Sequence, residues 1–189
     1  MKIDIYNTDK KYNIIYADPP WKYGDVHTWH KMGGGVENHY KTMNIKEIEN
    51  MGESINKIAA ANCLLFMWVT FPNLKEGLKV IEKWGFTYKT AAFVWIKKYK
   101  SGGNFYGMGA YTRANAEVCL LGVTPGFKAK ALVKSHTVHQ VIESPIQAHS
   151  VKPDEARQRI VELLGDVPRI ELFARQHATG WDAWGDELE

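Results

Sequence analysis

The tetrapeptide Asp18-Pro19-Pro20-Trp21 directly follows the apolar run Asn13 to Ala17, and its residue types suit the activation of a poor amine nucleophile. In an open α/β sheet, ligands bind outside the carboxyl ends of the strands, which is where these four residues would lie. The exocyclic amine of a purine, such as N6 of adenine, is a weak nucleophile because its lone pair is delocalised into the ring. Hydrogen bonds accepted from its N–H groups localise that pair as a new bond forms. The Asp18 carboxylate would accept one, and the Pro19 carbonyl, aimed by two ring-locked φ angles, would accept another. Trp21 offers a flat apolar surface for a base drawn out of its stack. An amine activated in this way needs no covalent protein nucleophile, and neither Cys63 nor Cys119 lies near the tetrapeptide in sequence. The alternative for such a tetrapeptide taken alone is a turn after a strand, with Trp21 packed in the core.

The elements that must position these residues are legible in the hydrophobic pattern. Asn13 to Ala17 and Cys63 to Val69 read as buried strands, and Ala91 to Lys97, Glu117 to Val123 and Arg169 to Ala174 as further ones. Asn73 to Trp84 places Leu74, Leu78 and Ile81 on one face, with Gly85 as a stop. Pro153 to Leu164 has Pro153, Asp154 and Glu155 in its first turn and Gly165 after its end, with Ala156, Ile160, Leu163 and Leu164 as its apolar stripe. Asn44 to Met51 is a shorter helical segment. Continuously apolar strands separated by helices predict an α/β fold, with a mostly parallel sheet covered on both faces.

The 189 residues are 45% hydrophobic and 24% charged, which fits a single globular domain over 1–189 and excludes a wholly disordered chain. The net charge of +3 is compatible with a nucleic-acid partner without requiring one. No run approaches a membrane span, the amino terminus has no signal-like apolar stretch, and two cysteines do not make a disulfide framework. A cytoplasmic setting is expected. Two loop segments, about 22–41 and 97–113, concentrate glycine, tyrosine and lysine and read as binding loops or lids. Gly107-Met-Gly109 precedes a strand rather than opening a helix, so it fails the context of a dinucleotide-binding turn. Arg113 and Glu117 are expected to pair and shape the second loop. His136, His139 and His149 lack the Cys or carboxylate pattern that would complete a metal site, and no metal is expected.

Tyr16-Ala-Asp-Pro-Pro-Trp21 resembles the signature of the MT-A70 family of N6-adenine methyltransferases. The resemblance continues in order through His39 to Met43, Leu64 to Trp68, Tyr111 to Glu117, His149 to Glu155 and Glu171 to Arg175, nearly the whole chain. It implies a Rossmann-like methyltransferase fold with permuted motif order and S-adenosylmethionine as methyl donor. It makes Asp18, Pro19, Pro20 and Trp21 the catalytic set and places the cofactor against Ala17, Asp18, Lys152, Glu171, Phe173, Arg175 and His177. Lys152 is expected at the methionine carboxylate, and Arg175 and His177 at the ribose or methionine end. Glu171 suits ribose hydroxyls or the orientation of Arg175. The Gly-x-Gly that many methyltransferases carry after the cofactor strand is absent here, so side chains must replace some backbone contacts.

On the substrate side, Tyr23, Tyr40, Lys98, Tyr106 and Arg113 are the candidates, with Tyr40 in the segment that resembles the family's gate over the base. Lys97, Lys100, Lys128, Lys130 and Lys134 are further phosphate contacts, and Tyr99 a stacking ring. The implied partner is nucleic acid, DNA favoured over RNA, with a homodimer or a heteromeric methyltransferase partner docking through the second loop by family analogy. The competing readings are an RNA N6-adenosine methyltransferase and a non-catalytic nucleic-acid-binding subunit, the latter opposed by the intact Asp18-Pro19-Pro20-Trp21. N4-cytosine methylation is disfavoured, because enzymes for it usually carry Ser where Asp18 stands.

Overall fold

Strands whose alternate residues are all apolar can be buried on both faces only if helices cover both sides, and that is how this chain folds. The structure, a computed structural model, describes residues 1–22, 42–109, 111–147 and 151–188. Tyr23, Tyr40, most of the first loop and His149 lie outside the described residues. The sheet is built from β1 (Tyr12–Ala17), β2 (Ala59–Val69), β3 (Thr87–Lys98), β4 (Ala116–Val123), β5 (Val141–Pro145), β6 (Arg169–Leu172) and β7 (Asp182–Trp184), in the order β5-β3-β4-β2-β1-β6-β7. The β1–β2, β1–β6, β6–β7 and β3–β5 pairs are parallel. β4 runs against both of its neighbours, β2 and β3. The expected mostly parallel sheet is therefore present, with one reversed strand near its middle.

The side-chain period of two sorts each strand between two cores. Ile15 and Ala17 of β1 and Leu65 and Met67 of β2 face α1 (Ile45–Asn50), α2 (Gly52–Ile58) and α3 (Leu74–Lys83), which contribute Ile48, Ile55, Val80 and Ile81. Ile14, Tyr16, Leu64, Phe66 and Trp68 point the other way, onto Ala156, Ile160 and Leu164 of α5 (Asp154–Leu164) and Leu132 of the short α4 (Ala129–Leu132). α1 starts on a capping box, Asn44 with Glu47, which satisfies backbone donors at both ends of the motif.

Several short elements, the four-residue α4 among them, escape the periodicity. β5 and β7 are short edge strands, and α2 follows α1 after Met51 alone. The strand expected over Arg169 to Ala174 stops at Leu172, because Phe173 takes a left-handed backbone conformation, φ 58°. Beyond that turn the Ala174 amide still donates to the Trp184 carbonyl of β7, at 2.9 Å. Among the described residues, no helix is long and apolar enough to cross a membrane.

Trp84, fully buried at the end of α3, donates its indole N–H to the Ile48 carbonyl at 2.8 Å and so ties α3 to α1. Trp84→Ala is expected to lower the unfolding free energy by about 3–5 kcal/mol, with Trp84→Phe in between. Urea titration followed by circular dichroism checks the order of the three proteins.

Candidate active site

The carboxyl end of β1 delivers Asp18, and the two prolines keep the chain beyond them close to it. The Trp21 amide donates to the Pro19 carbonyl at 2.8 Å, and the Met43 amide to the Pro20 carbonyl at 2.9 Å. The Thr42–Met43 segment, where the chain returns from the first loop, thus lies beside the tetrapeptide, with a parallel bridge between Trp21 and Met43. The Pro19 carbonyl keeps a second lone pair for a substrate N–H. Trp21 differs from its expected role as a stacking surface. It is 5% exposed, packs in the core with Ile48, Met67 and Val69, and donates its indole N–H to the Trp68 carbonyl at 2.9 Å. Burial and this bond make it a strut beneath the tetrapeptide.

Asp18 is the end of a chain of alternating charges. Its Oδ2 lies 2.7 Å from Lys152 Nζ, Lys152 Nζ lies 3.3 Å from Glu117 Oε2, and Glu117 Oε1 lies 2.5 Å from Lys97 Nζ. Lys152 stands before α5, Glu117 on β4 and Lys97 near the end of β3, so the chain crosses three adjacent parts of the fold. Each cation also sits over a ring, Lys97 over Trp95 at 5.1 Å and Lys152 over Trp68 at 6.0 Å. The pairing expected between Arg113 and Glu117 is not what forms. Arg113 is exposed, and two lysines take the Glu117 carboxylate because they reach it from inside the fold.

Burial sets the electrostatics. It pushes the Asp18 carboxyl above its ordinary value, against the pull of Lys152. Burial acts the same way on Glu117, but Lys152 and Lys97 outweigh it and hold that carboxyl low. Burial alone would lower Lys152, yet Asp18 and Glu117 together push its ammonium up. Lys152 is therefore charged across the working pH range, with a carboxylate on either side.

A second buried ion pair lies on the α5 face. Arg157 donates from one nitrogen to both oxygens of Glu171, at 2.9 and 3.0 Å, pairs with Asp154, and packs over the Tyr16 ring at 6.0 Å. The Tyr16 hydroxyl accepts from the Trp68 indole at 2.7 Å. Glu171, expected at ribose hydroxyls or orienting Arg175, is thus engaged by Arg157. The sequence reading missed Arg157, although its place four residues before Val161, three before Ile160 and seven before Leu164 marks it as lying on the buried stripe of α5.

Beside Asp18 opens a cavity of about 630 Å³. Asp18, Pro20, Phe173 and Arg175 line it, and so do Tyr6, Trp184, Asp186 and Glu187, which the sequence reading did not select. Trp184 is at the centre of its aromatic wall, edge-on to Phe173 at 5.3 Å and to Tyr6 at 6.0 Å. The left-handed turn at Phe173 is what brings Phe173 and Arg175 onto this wall. Ala17 is fully buried in the core, and His177 is exposed and off the wall among the described residues. Also among the described residues, no group of three His, Cys, Asp or Glu side chains gathers to hold a metal.

The sequence model of the MT-A70 family matches residues 12–187. The chain belongs to the MT-A70 family. It is 34% identical to the Type II methyltransferase M.MunI of a Mycoplasma sp. over 95% of this chain and 78% of that protein. It is 29% identical to the human N(6)-adenine-specific methyltransferase METTL4, over 97% of this chain and 39% of that protein. Against the human N(6)-adenosine-methyltransferase catalytic subunit METTL3 the identity is 26%, over 95% of this chain and 28% of that protein. The chain therefore spans most of the first relative and well under half of the two human ones. The fold of this MT-A70 chain is a mixed seven-stranded sheet with helices, consistent with a Rossmann-like methyltransferase.

Two outcomes test these ion pairs. Lys152→Met leaves Asp18 and Glu117 buried without their shared cation and is expected to cost about 3–5 kcal/mol near neutral pH. The deficit should shrink as pH falls and the carboxyls protonate, which thermal melts at stepped pH will show. Burial, opposed by Arg157, pushes the Glu171 carboxyl from 4.5 up to about 7. A carboxyl raised in the folded state favours folding while protonated, and that contribution is lost as pH rises through this window. Wild type should lose stability relative to Glu171→Gln between those two values, and parallel melting curves would contradict it.

Proposed function

We propose that this chain transfers a methyl group from S-adenosylmethionine to N6 of adenine in nucleic acid, with DNA favoured over RNA. The observation that carries the reading is Asp18 set at the mouth of the cavity and gripped by Lys152. S-adenosylmethionine, when bound, supplies a methyl group on a positively charged sulfur. The cavity suits it: about 630 Å³ is within the range of small-molecule sites, and its wall combines rings with carboxylates. Phe173 and Trp184 would flank a flat adenine, while Asp186 and Glu187 would accept from ribose hydroxyls or an amine. Arg175, 3.7 Å from Glu187, and Lys152 are the cations that would meet the donor's ribose or carboxylate end.

The chain's own residues then act on the acceptor amine. Lys152 keeps the Asp18 carboxylate oriented by one oxygen, leaving the other to accept an N–H from the base. The second lone pair of the Pro19 carbonyl accepts the other N–H, and the two bonds together draw the lone pair out of the ring. Pro20 and the buried Trp21 hold these acceptors rigid. Tyr23, Tyr40, Lys98, Tyr106 and Arg113 are assigned to the nucleic-acid side. Higher identity to the Type II methyltransferase than to the N(6)-adenosine enzymes supports DNA as the polymer. The catalytic-subunit relatives make a second methyltransferase chain, or a second copy, the protein partner to seek.

Methyl transfer from deuterium-labelled S-adenosylmethionine to matched DNA and RNA pools, read by nucleoside mass spectrometry, tests the reading. Labelled N6-methyladenine should appear, chiefly from DNA. Asp18→Ala should lower turnover on the order of 100-fold or more while still binding the donor. Cofactor binding without any label would instead favour a non-catalytic subunit.

A further inference from the structure

The connection from β3 to β4 is a built flap rather than a slack loop. The strands continue past their ends through antiparallel bridges at Lys98–Asn104 and Gly107–Ala114. Backbone bonds from Phe105 to Lys97, from Tyr99 to Gly103 and from Gly107 to Ala114 close it, at 2.9, 3.1 and 2.9 Å. Tyr99 packs edge-on to Phe105 at 5.3 Å. Gly107 and Gly109 are required by close backbone approach, since a Cβ on either would run into the carbonyl oxygen of Ala114 or Thr112. The fold thus holds the outer part of the flap against its base.

What the flap presents is unusual for a soluble surface. Tyr106 is 60%, Met108 66% and Tyr111 100% exposed. Three large side chains exposed within six residues of sequence mark an interaction site more often than a lone one does. The charge around them selects the partner. From Lys98 to Ala116 the chain carries Lys98, Lys100 and Arg113 and no carboxylate. Lys100 and Arg113 are exposed, and rings interleaved with cations match a polyanion whose bases have open faces. The root of the flap is Lys97, whose ammonium begins the chain of charges that ends at Asp18. The root of the flap is thereby tied to Asp18 through ion pairs inside the fold.

We infer that the flap is a stacking platform for unpaired bases flanking the target, so that the polymer is gripped as a single or locally opened strand. The inference rests on the proposed nucleic-acid substrate and adds its conformation. Rings on a braced flap stack on bases only where those bases are out of a duplex, whereas a paired substrate keeps its base faces stacked on one another and offers the rings none.

The test is binding of fluorescently labelled oligonucleotides, single-stranded and duplex, of one sequence, to wild type and to the Tyr106→Ala/Tyr111→Ala double variant. Wild type should bind the single strand more tightly. The variant should lose roughly 10-fold or more in single-strand affinity, while its melting temperature and S-adenosylmethionine affinity stay at wild-type values. Equal single-strand affinity of the two proteins, preference for duplex, or no oligonucleotide binding at all would overturn the platform. So would a fall in oligomeric mass in the variant, with binding restored at high protein concentration, which would make the flap a protein interface. Ring-dependent binding without methylation would leave the platform standing and remove the proposed reaction.

Discussion

A buried ammonium shared between two carboxylates is the constraint around which the site is arranged. Lys152 is 6% exposed in its side chain and touches Asp18 and Glu117 at 2.7 and 3.3 Å. Taking such charges out of water costs several kcal/mol each and is tolerated only when partners stand in near-ideal positions. β1, β4 and the segment before α5 must therefore end in register, because a displaced strand would strand a charge in the interior. The reversed strand serves the same requirement. β4 begins at the end of the sheet where β1 and β3 finish, which puts Glu117 between Lys97 and Lys152.

The two cores divide the work between them. On the α5 face, Arg157, Glu171, Tyr16 and Trp68 make a dense network of ion pair, ring and indole bond. Trp68 passes that rigidity on, through its backbone carbonyl, to the indole of Trp21. The opposite side of the tetrapeptide opens on the cavity, walled by rings whose edge-on packing leaves flat surface exposed. A fixed acceptor on one side and an open, ring-lined pocket on the other is what a transfer between two bound partners needs. Phe173, the one non-glycine residue with a left-handed backbone among the described residues, ends β6 at the cavity wall.

Much of this was written in local pattern. The buried strands around Ile15, Leu65 and Leu120 and the helices over Leu74–Lys83 and Asp154–Leu164 arise from period and from Pro and Gly at their ends. The Asp18-Pro19-Pro20-Trp21 signature and the blocks after it were enough to recognise the family that the match over 12–187 establishes. The resemblance, rather than residue type alone, pointed to Lys152, Phe173 and Arg175, which lie at or beside the cavity or its carboxylate.

Partners distant in sequence were beyond that pattern. Arg113 is four residues from Glu117 and invited a local pair, but the strand direction of β4 turns the carboxylate inward to Lys97 and Lys152. Asp186 and Glu187 sit more than 160 residues from Asp18, and only β6 and β7 lying next to β1 bring them to one cavity. Trp21 has a type suited to stacking, yet burial and the Trp68 carbonyl made it a strut. Residue type and period act over a few positions and so determined the elements and the chemistry on offer. Which charges meet and which rings stay open depended on strand order and direction, because desolvation and packing are properties of the assembled interior.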